Sequence, residues 1–309
     1  MTPKSSGSPS ALAELSSQLA AAVMTAGNSV VAIHARRRIP SSGIVWRNDV
    51  IVSASHTVKK DDDISVTLPT GDKVTATIVG RDSATDLVAL RADGLEAHVA
   101  TKGDADSLRV GSLVLALGRP GRAVTASFGI VSAVGEGWRT WQGARVDRVV
   151  RLDLSVYDGF SGGPLVDASG AVVGLNNSAL AQGTPMALPA PAVDRILDEL
   201  LERGHVRRPF IGVAVQPVAL PASIAKQHKL EHEAALLIIS VAEGSPADSA
   251  GILVGDVLLE ANGVALHRPT DLLDALSSVR DGASLELQLL RGGAVKAVSV
   301  TPADRGART

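Results

Sequence analysis

A mainly β protein of two domains is the fold class this sequence predicts, and three observations carry it. Short apolar runs of period two recur between Gly-, Pro- and Asp-rich turns from Ser29 to about Leu188. A stretch of helical period, 192–203, closes that region, and mixed strands and helices follow from Phe210. At 309 residues, 45% of them hydrophobic, the chain is long enough for two sizeable cores. With three Trp, one Tyr and three Phe, those cores must be filled mostly by Val, Leu, Ile and Ala.

Residues 1–10 are rich in Ser, Pro and Gly and read as disordered, so 1–27 forms an N-terminal segment, partly disordered and then helical. Leu19 to Ile33 is too often interrupted, by Thr25, Gly27, Asn28 and Ser29, to serve as a signal-peptide core, and no run of apolar residues is long enough to span a membrane. It reads as a short helix leading into a strand, Ser29 to Ala35. Ile64, Val66 and Leu68 alternate, Pro69-Thr70-Gly71-Asp72 turns, and Val74, Ala76 and Ile78 alternate again, which is an antiparallel hairpin. Further strands fall at 87–91, 112–117, 126–134, 148–154 and 172–175, the pattern of an all-β barrel or sandwich. Val193, Ile196, Leu197, Leu200 and Leu201 then line one helix face before Gly204, and Arg207-Arg208-Pro209 makes a hinge. Beyond it come a strand at 236–241, a Gly-Ser-Pro turn with a short helix, a strand at 256–261, the hairpin signal Asn262-Gly263 and a helix at 271–279. The expected domains are 28–206 and 207–303, with a tail at 304–309.

Composition excludes several function classes. Lys and Arg number 30 against 32 Asp and Glu, a balance without the basic field of a nucleic-acid or anionic-membrane binder. The absence of Cys removes disulfides, thiolate nucleophiles and Cys-based zinc sites, and no metal or other cofactor is expected.

The sharpest chemical motif is Gly159-Phe160-Ser161-Gly162-Gly163-Pro164. Flanking glycines let the backbone turn tightly and aim successive N–H groups at one point beside an exposed hydroxyl. The motif also fits the Gly-x-Ser-x-Gly elbow of α/β-hydrolases, but that elbow needs a helix directly after Ser and a later His. Here 165–175 reads as strand, turn, strand, and the best-framed His lies upstream. His56 ends the apolar strand Val50-Ile51-Val52-Ser53-Ala54, and Asp86 opens Leu87-Val88-Ala89-Leu90. The order His, Asp, Ser is that of chymotrypsin-like double β-barrels. Asp82 is the rival acid, with a turn or cap as its ordinary reading.

In these segments the chain resembles the HtrA/Deg family of serine proteases over about residues 28 to 302. Val52-Ser53-Ala54-Ser55-His56-Thr57-Val58 is similar to the family's histidine segment, and Asp82-Ser83-Ala84-Thr85-Asp86-Leu87-Val88 to its aspartate segment. Ser42-Gly43-Ile44-Val45, Leu117-Gly118-Arg119-Pro120, Ser127-Phe128-Gly129-Ile130 and Met186-Ala187-Leu188-Pro189 resemble its framework strands. Gly244-Ser245-Pro246-Ala247 through Asn262-Gly263 resemble its PDZ domain. The resemblance implies a chymotrypsin-like double β-barrel followed by an α+β PDZ domain, acting as an endopeptidase on unfolded or damaged proteins. It implies a cell-envelope location, with the cytoplasm as the alternative because no export signal is read, and a homotrimer, although 11–33 holds no aromatic residue to build a trimer contact. It assigns Ser161 as nucleophile, His56 as base then acid, Asp86 as the orienting carboxylate, and Gly159, Phe160 and Ser161 to the oxyanion hole. Ser155 and Asn177 are assigned to the substrate pocket. Phe210, Ile211, Gly212 and Val213 would form the PDZ carboxylate loop, with Leu273 and Leu276 lining a pocket for peptides with apolar C-termini.

The chain departs from the family at Phe160, where Asn is usual; bulk there is expected to reshape the hole or to shift the S1 pocket, and a binding or chaperone module with an impaired site is the rival reading. Ser155 stands where trypsin-like relatives carry a carboxylate, so small or medium aliphatic residues are expected before the scissile bond. His228-Lys229-Leu230-Glu231-His232 matches an inverted zinc-protease motif without an evident third ligand, and Asp61-Asp62-Asp63 lacks the ligand alternation of a calcium loop. Arg36-Arg37-Arg38 reads as the exposed end of a strand or loop, with docking of acidic partners left open. The aromatics other than Trp46 and Phe128 are expected at the active-site rim and the peptide clamp.

Overall fold

The structure, a computed structural model, describes residues 10–140, 144–180, 184–227 and 234–305. Trp141 and the motif at 228–232 lie outside the described residues. The chain divides into two compact units, Met1–Val206 and Arg207–Thr309.

The first unit opens with α1 (Ala11–Gly27), whose cap Ser10 accepts the Ala13 N–H at 3.3 Å. This helix begins well before the expected one, because Ala, Leu, Glu and Gln favour helix throughout and Ser10 satisfies a free N–H at its start. Two six-stranded barrels follow. The first holds β1 (Val30–His34), β2 (Ser41–Arg47), β3 (Val50–Ala54), β4 (Ile64–Thr67), β5 (Lys73–Asp82) and β6 (Leu87–Arg91), closed in the order β1-β2-β3-β6-β5-β4. The second holds β7 (Leu113–Gly118), β8 (Thr125–Arg139), β9 (Arg145–Asp153), β10 (Pro164–Asp167), β11 (Val172–Asn177) and β12 (Met186–Pro189), closed as β10-β11-β12-β9-β8-β7. Closure leaves no unpaired edge, and interior positions alternate with exterior ones. The β4–β5 hairpin pairs Ile64 with Ala76 and Val66 with Val74, and Gly71 takes φ of 100° in its turn, a conformation that favours glycine.

After β12 comes α2 (Ala190–Arg203), ended by Gly204 at φ of 77°. Val193, Ile196, Leu197 and Leu200 are buried on its inner face. Trp46 of β2 is the largest fully buried side chain, which makes the core less purely aliphatic than expected. Its burial contributes about 3 kcal/mol, and its indole N–H finds Asp194 Oδ1 of α2 at 2.8 Å, so the polar atom is satisfied as well. Lys102 Nζ reaches the same oxygen at 2.6 Å while lying 4.9 Å from the Trp46 ring. Buried Arg119 closes the end of α1, donating to Gly27 O at 2.9 Å and Val30 O at 2.6 Å, which places a cation on the helix's negative terminus.

The second unit contains β13 (Pro209–Phe210), β14 (Val213–Ala219), α3 (Ala222–Gln227), β15 (Ala234–Val241), α4 (Pro246–Ser249), β16 (Val257–Ala261), β17 (Val264–Ala265), α5 (Pro269–Ser278), β18 (Leu285–Arg291), β19 (Ala294–Val300) and β20 (Ala303–Asp304). Its main sheet runs β14-β15-β16-β18-β19. The core joins Leu236, Ile238 and Leu258 to Leu272 and Leu276 of α5 and to Leu285, Leu287 and Leu289 of β18. Asn262 (φ 48°) and Gly263 (φ 78°) make the tight turn between β16 and β17.

Candidate active site

Each barrel supplies one half of a cleft. β3 is buried along its length and delivers His56 into a short 3-10 turn, Ser55–Thr57, which the Thr57 hydroxyl fastens to Ala54 O at 2.7 Å. Asp86 sits between β5 and β6 in the left-handed region, φ 56°, a conformation that costs a non-glycine residue about 1–2 kcal/mol. That geometry turns its carboxylate towards His56. Oδ1 accepts the His56 backbone N–H at 2.7 Å, and Oδ2 meets the ring at Nδ1 at 2.5 Å. Asn177, at the end of β11, donates Nδ2 to the same Oδ2 at 2.8 Å. Asp82 instead accepts from the Thr85 hydroxyl and the Ala84 N–H of its own turn, so the carboxylate against the imidazole is that of Asp86.

Ser161 lies on a turn that only glycine permits at two points. Gly162 adopts φ of 89°, and a Cβ there would fall 2.4 Å from Ser42 O and 2.2 Å from Ser53 Oγ. A Cβ on Gly163 would fall 2.1 Å from Leu117 O. The turn is sewn to β11 by Gly162 N–H to Asn176 O (2.9 Å) and Asn176 N–H to Gly163 O (2.8 Å). Ser42 donates to Gly159 O at 2.5 Å from the other barrel. Among the described residues, the N–H groups of Gly159 and Ser161 meet no acceptor. Two free donors beside a hydroxyl can hold a developing oxyanion.

Phe160 departs from its expected place in that donor set. Its N–H goes to Tyr157 O at 3.0 Å, and its ring is 2% exposed, packed against Gly118 and edge-on to Tyr157 at 5.4 Å. An apolar ring is driven under the turn rather than to the rim, so its bulk does not stand beside the two free donors. Phe128, expected in an ordinary strand setting, is 51% exposed. Ser155 is exposed beyond β9, with its N–H on Ser127 Oγ at 3.2 Å. Asn177, expected in the substrate pocket, is fully buried, and its Oδ1 accepts the N–H groups of Ala179 and Leu180, so it braces Asp86 instead. Ser178 was missed altogether: its hydroxyl is 2.9 Å from Ser161 Oγ, the contact that this hydroxyl makes in place of one to His56.

In the second unit Ile211 is buried in the core, and Gly212 holds φ of 85° with its would-be Cβ 2.2 Å from Ser245 Cβ. Ala242 and Ala247 donate to the carbonyls of Gly212 and Ile211, which pins this turn beside α4 and leaves the Gly212 N–H unused among the described residues. β14 is an outer strand of its sheet, with Val213 and Val215 half-buried, and α5 packs near it. Leu276, expected in a pocket, is 3% exposed and belongs to the core, whereas Leu273 is 37% exposed. The helical period sets neighbouring side chains about 100° apart, so Leu272 and Leu276 share the inner face and Leu273 leaves it.

A trypsin-like peptidase domain model matches residues 41–175, and a PDZ domain model matches 209–301. The HtrA-type protease AlgW, solved with a decapeptide, superposes with a TM-score of 0.75 at 25% identity, covering 93% of this chain and 98% of that one. The chain belongs to the HtrA/Deg family. A serine endoprotease from Yersinia pestis gives this HtrA/Deg chain a TM-score of 0.76 at 26% identity, covering 96% of it and 99% of the other. Among curated relatives, a probable periplasmic serine endoprotease DegP-like of Chlamydia trachomatis is 32% identical over 264 residues, 84% of this chain and 52% of the relative. A protein of the same description from Brucella suis is 33% identical over 287 residues, 88% and 55% respectively. The chain thus spans about half the length of the curated relatives it matches.

Proposed function

We propose that this chain is a serine endopeptidase that cleaves unfolded or damaged polypeptides through an acyl-enzyme, with its PDZ domain binding apolar C-termini or regulating the site. The observation that carries the reading is the clamp on His56. Asp86 holds both the backbone N–H and the ring Nδ1 of His56, which fixes the tautomer and leaves Nε2 without a partner among the described residues, available to act as base.

The steps follow from these groups. Ser161 turns its hydroxyl from Ser178 to His56, and Nε2 takes the proton as Oγ attacks the peptide carbonyl. Asp86 stabilises the imidazolium, and the N–H groups of Gly159 and Ser161 receive the oxyanion, a contribution of about 3 kcal/mol per donor. His56 passes its proton to the leaving amine, and water repeats the cycle to free the acid. The buried ring of Phe160 takes away the reason to regard the site as impaired.

Fluorophosphonate labelling and casein digestion test this directly: label on Ser161 and cleavage by the wild type, with neither in Ser161→Ala, are expected. Wild type that neither labels nor cleaves would sink the proposal. The naming of relatives as periplasmic supports a cell-envelope location, which fractionation checks, and light scattering checks the homotrimer.

A further inference from the structure

Three consecutive arginines, Arg36-Arg37-Arg38, join β1 to β2, and the hydrolytic steps make no use of them. The structure sets their loop on the rim of the cleft. Arg36 curls the loop by donating Nε to Ile39 O at 2.5 Å and a terminal nitrogen to Pro40 O at 3.4 Å. Ile39 and Pro40 then abut the nucleophile turn: a Cβ on Gly159 would lie 3.3 Å from Ile39 Cγ2 and 2.9 Å from Pro40 O. Arg37 and Arg38 are left exposed beside that turn.

The segment that follows His56 comes to the same place. The N–H groups of Lys59 and Lys60 both donate to Ala35 O, at 2.9 and 3.1 Å, which docks this segment against the foot of the arginine loop. Arg81 of β5 braces it from below through Val58 O (2.6 Å) and Lys60 O (3.0 Å). Lys59 and Lys60 are exposed. Arg37, Arg38, Lys59 and Lys60 have no ion-pair partner among the described residues, so these cations remain available to a ligand. The nearby carboxylates are Asp61, which pairs with Arg81 at 3.0 Å, exposed Asp62 and Asp63 leading into β4, and exposed Asp158 beside Gly159. Arg122, exposed in the β7–β8 loop whose Pro120 also touches the turn, adds to the positive side.

Chemistry says which part of a substrate meets this rim. His56 must protonate the departing amine, so the polypeptide that leaves with that nitrogen starts at His56 and runs outwards over the residues beside it. An extended chain advances roughly 3.3 Å per residue, so a few residues carry it from the scissile bond across the rim.

We propose that the Arg36–Pro40 loop, together with Lys59 and Lys60, forms a basic rim that selects substrates carrying Asp or Glu a few residues after the scissile bond. The inference rests on the peptidase reading above and adds a substrate class to it. Charged side chains at an exposed rim act through screened attraction, so the preference weakens with salt.

The test uses quenched peptides, amidated at the C-terminus to keep them off the PDZ domain, that differ only in carrying Glu, Gln or Lys at these leaving-side positions. In the wild-type chain the Glu peptide is expected to be cleaved about tenfold more efficiently than the Gln peptide at about 50 mM NaCl, and the advantage to shrink towards about 500 mM. In the Arg37→Glu/Arg38→Glu variant the order is expected to invert in favour of the Lys peptide. Anisotropy of the same peptides on uncleaving Ser161→Ala protein reads the rim independently of catalysis, and tighter binding of the Glu peptide is expected there too. Equal rates and affinities for all three peptides, or an order unchanged by charge reversal, would overturn the rim. Loss of fluorophosphonate labelling would strike the peptidase reading alone.

Discussion

Asn177 Nδ2 and His56 Nδ1 converge on one oxygen, Asp86 Oδ2, from opposite barrels, at 2.8 and 2.5 Å. The carboxylate on which the imidazole depends is thereby held from the end of the strand to which the nucleophile turn is hydrogen-bonded. Asn177→Ala removes that donor, and kcat is expected to fall about tenfold with KM little changed, since one hydrogen bond to a charged group is worth about 1.5 kcal/mol. Pre-steady-state kinetics on a small ester checks it. An unchanged kcat would reduce Asn177 to a loop brace.

Ser178 and Ser161 share one hydrogen bond at 2.9 Å, in which either hydroxyl can donate; with Ser161 as donor it competes with the bond that Ser161 must make to His56. Ser178→Ala is expected to raise the rate of fluorophosphonate labelling about threefold, the worth of a modest hydrogen bond. Ser178→Thr, which keeps the hydroxyl, is expected to label at the wild-type rate. A slower Ser178→Ala enzyme would show that Ser178 aids attack instead.

On α5, Leu273 and Leu276 separate by exposure, 37% against 3%. Leu276→Ala is expected to cost about 2–4 kcal/mol of stability through the cavity it leaves. Leu273→Ala is expected to leave the melting temperature unchanged and to weaken binding of a free apolar C-terminus, measured by titration calorimetry. Gly212→Ala would be a poor probe of the same groove, because the added Cβ collides with Ser245 before any peptide is considered.

Asp256 is buried beneath Arg291, which grips it with Nε and a terminal nitrogen at 2.7 and 2.6 Å. Burial pushes its pKa up, but the hydrogen bonds from Arg291 and the Leu253 N–H and the charges of Arg291 and Lys296 outweigh it, and the net value is lowered. A carboxylate lowered in the folded state contributes stability above its unfolded pKa, about 3.9, and loses it as pH falls through the lower folded value. Hydrogen-exchange protection in β16 and β18 of the full chain, measured against the intrinsic rate at each pH, is expected to fall below about pH 4 and to stay level between about pH 5 and 7. In Asp256→Asn that added pH dependence is expected to vanish.

What is local or periodic in this chain is legible in its residues alone. The hairpin at 64–78 was visible because alternation and the Pro-Thr-Gly-Asp turn both act within a few residues, and the register Ile64 to Ala76 follows from them. The helix at α2 was visible from its period and Gly204. His56, Asp86 and Ser161 stood out because each is framed by its own strand or glycine turn. Asn177 and Ser178 did not, because two polar residues after an apolar strand look like any loop until the second barrel brings them to the first.

The division follows from the range of the forces. Strand period, turn chemistry and helix stops are short-range preferences of the backbone, and they were enough for an all-β barrel or sandwich followed by a mixed second domain. The double barrel and the PDZ domain came from the order of His56, Asp86 and Ser161 and from the resemblance to the HtrA/Deg family. Which carboxylate meets the imidazole, whether Phe160 crowds the site or fills the core, and where three adjacent arginines end up are long-range outcomes. Those were decided by packing: the φ of 56° at Asp86, the burial that draws the Phe160 ring beneath its turn, and the docking of Lys59 and Lys60 on Ala35 that gathers the charges of distant segments at one rim.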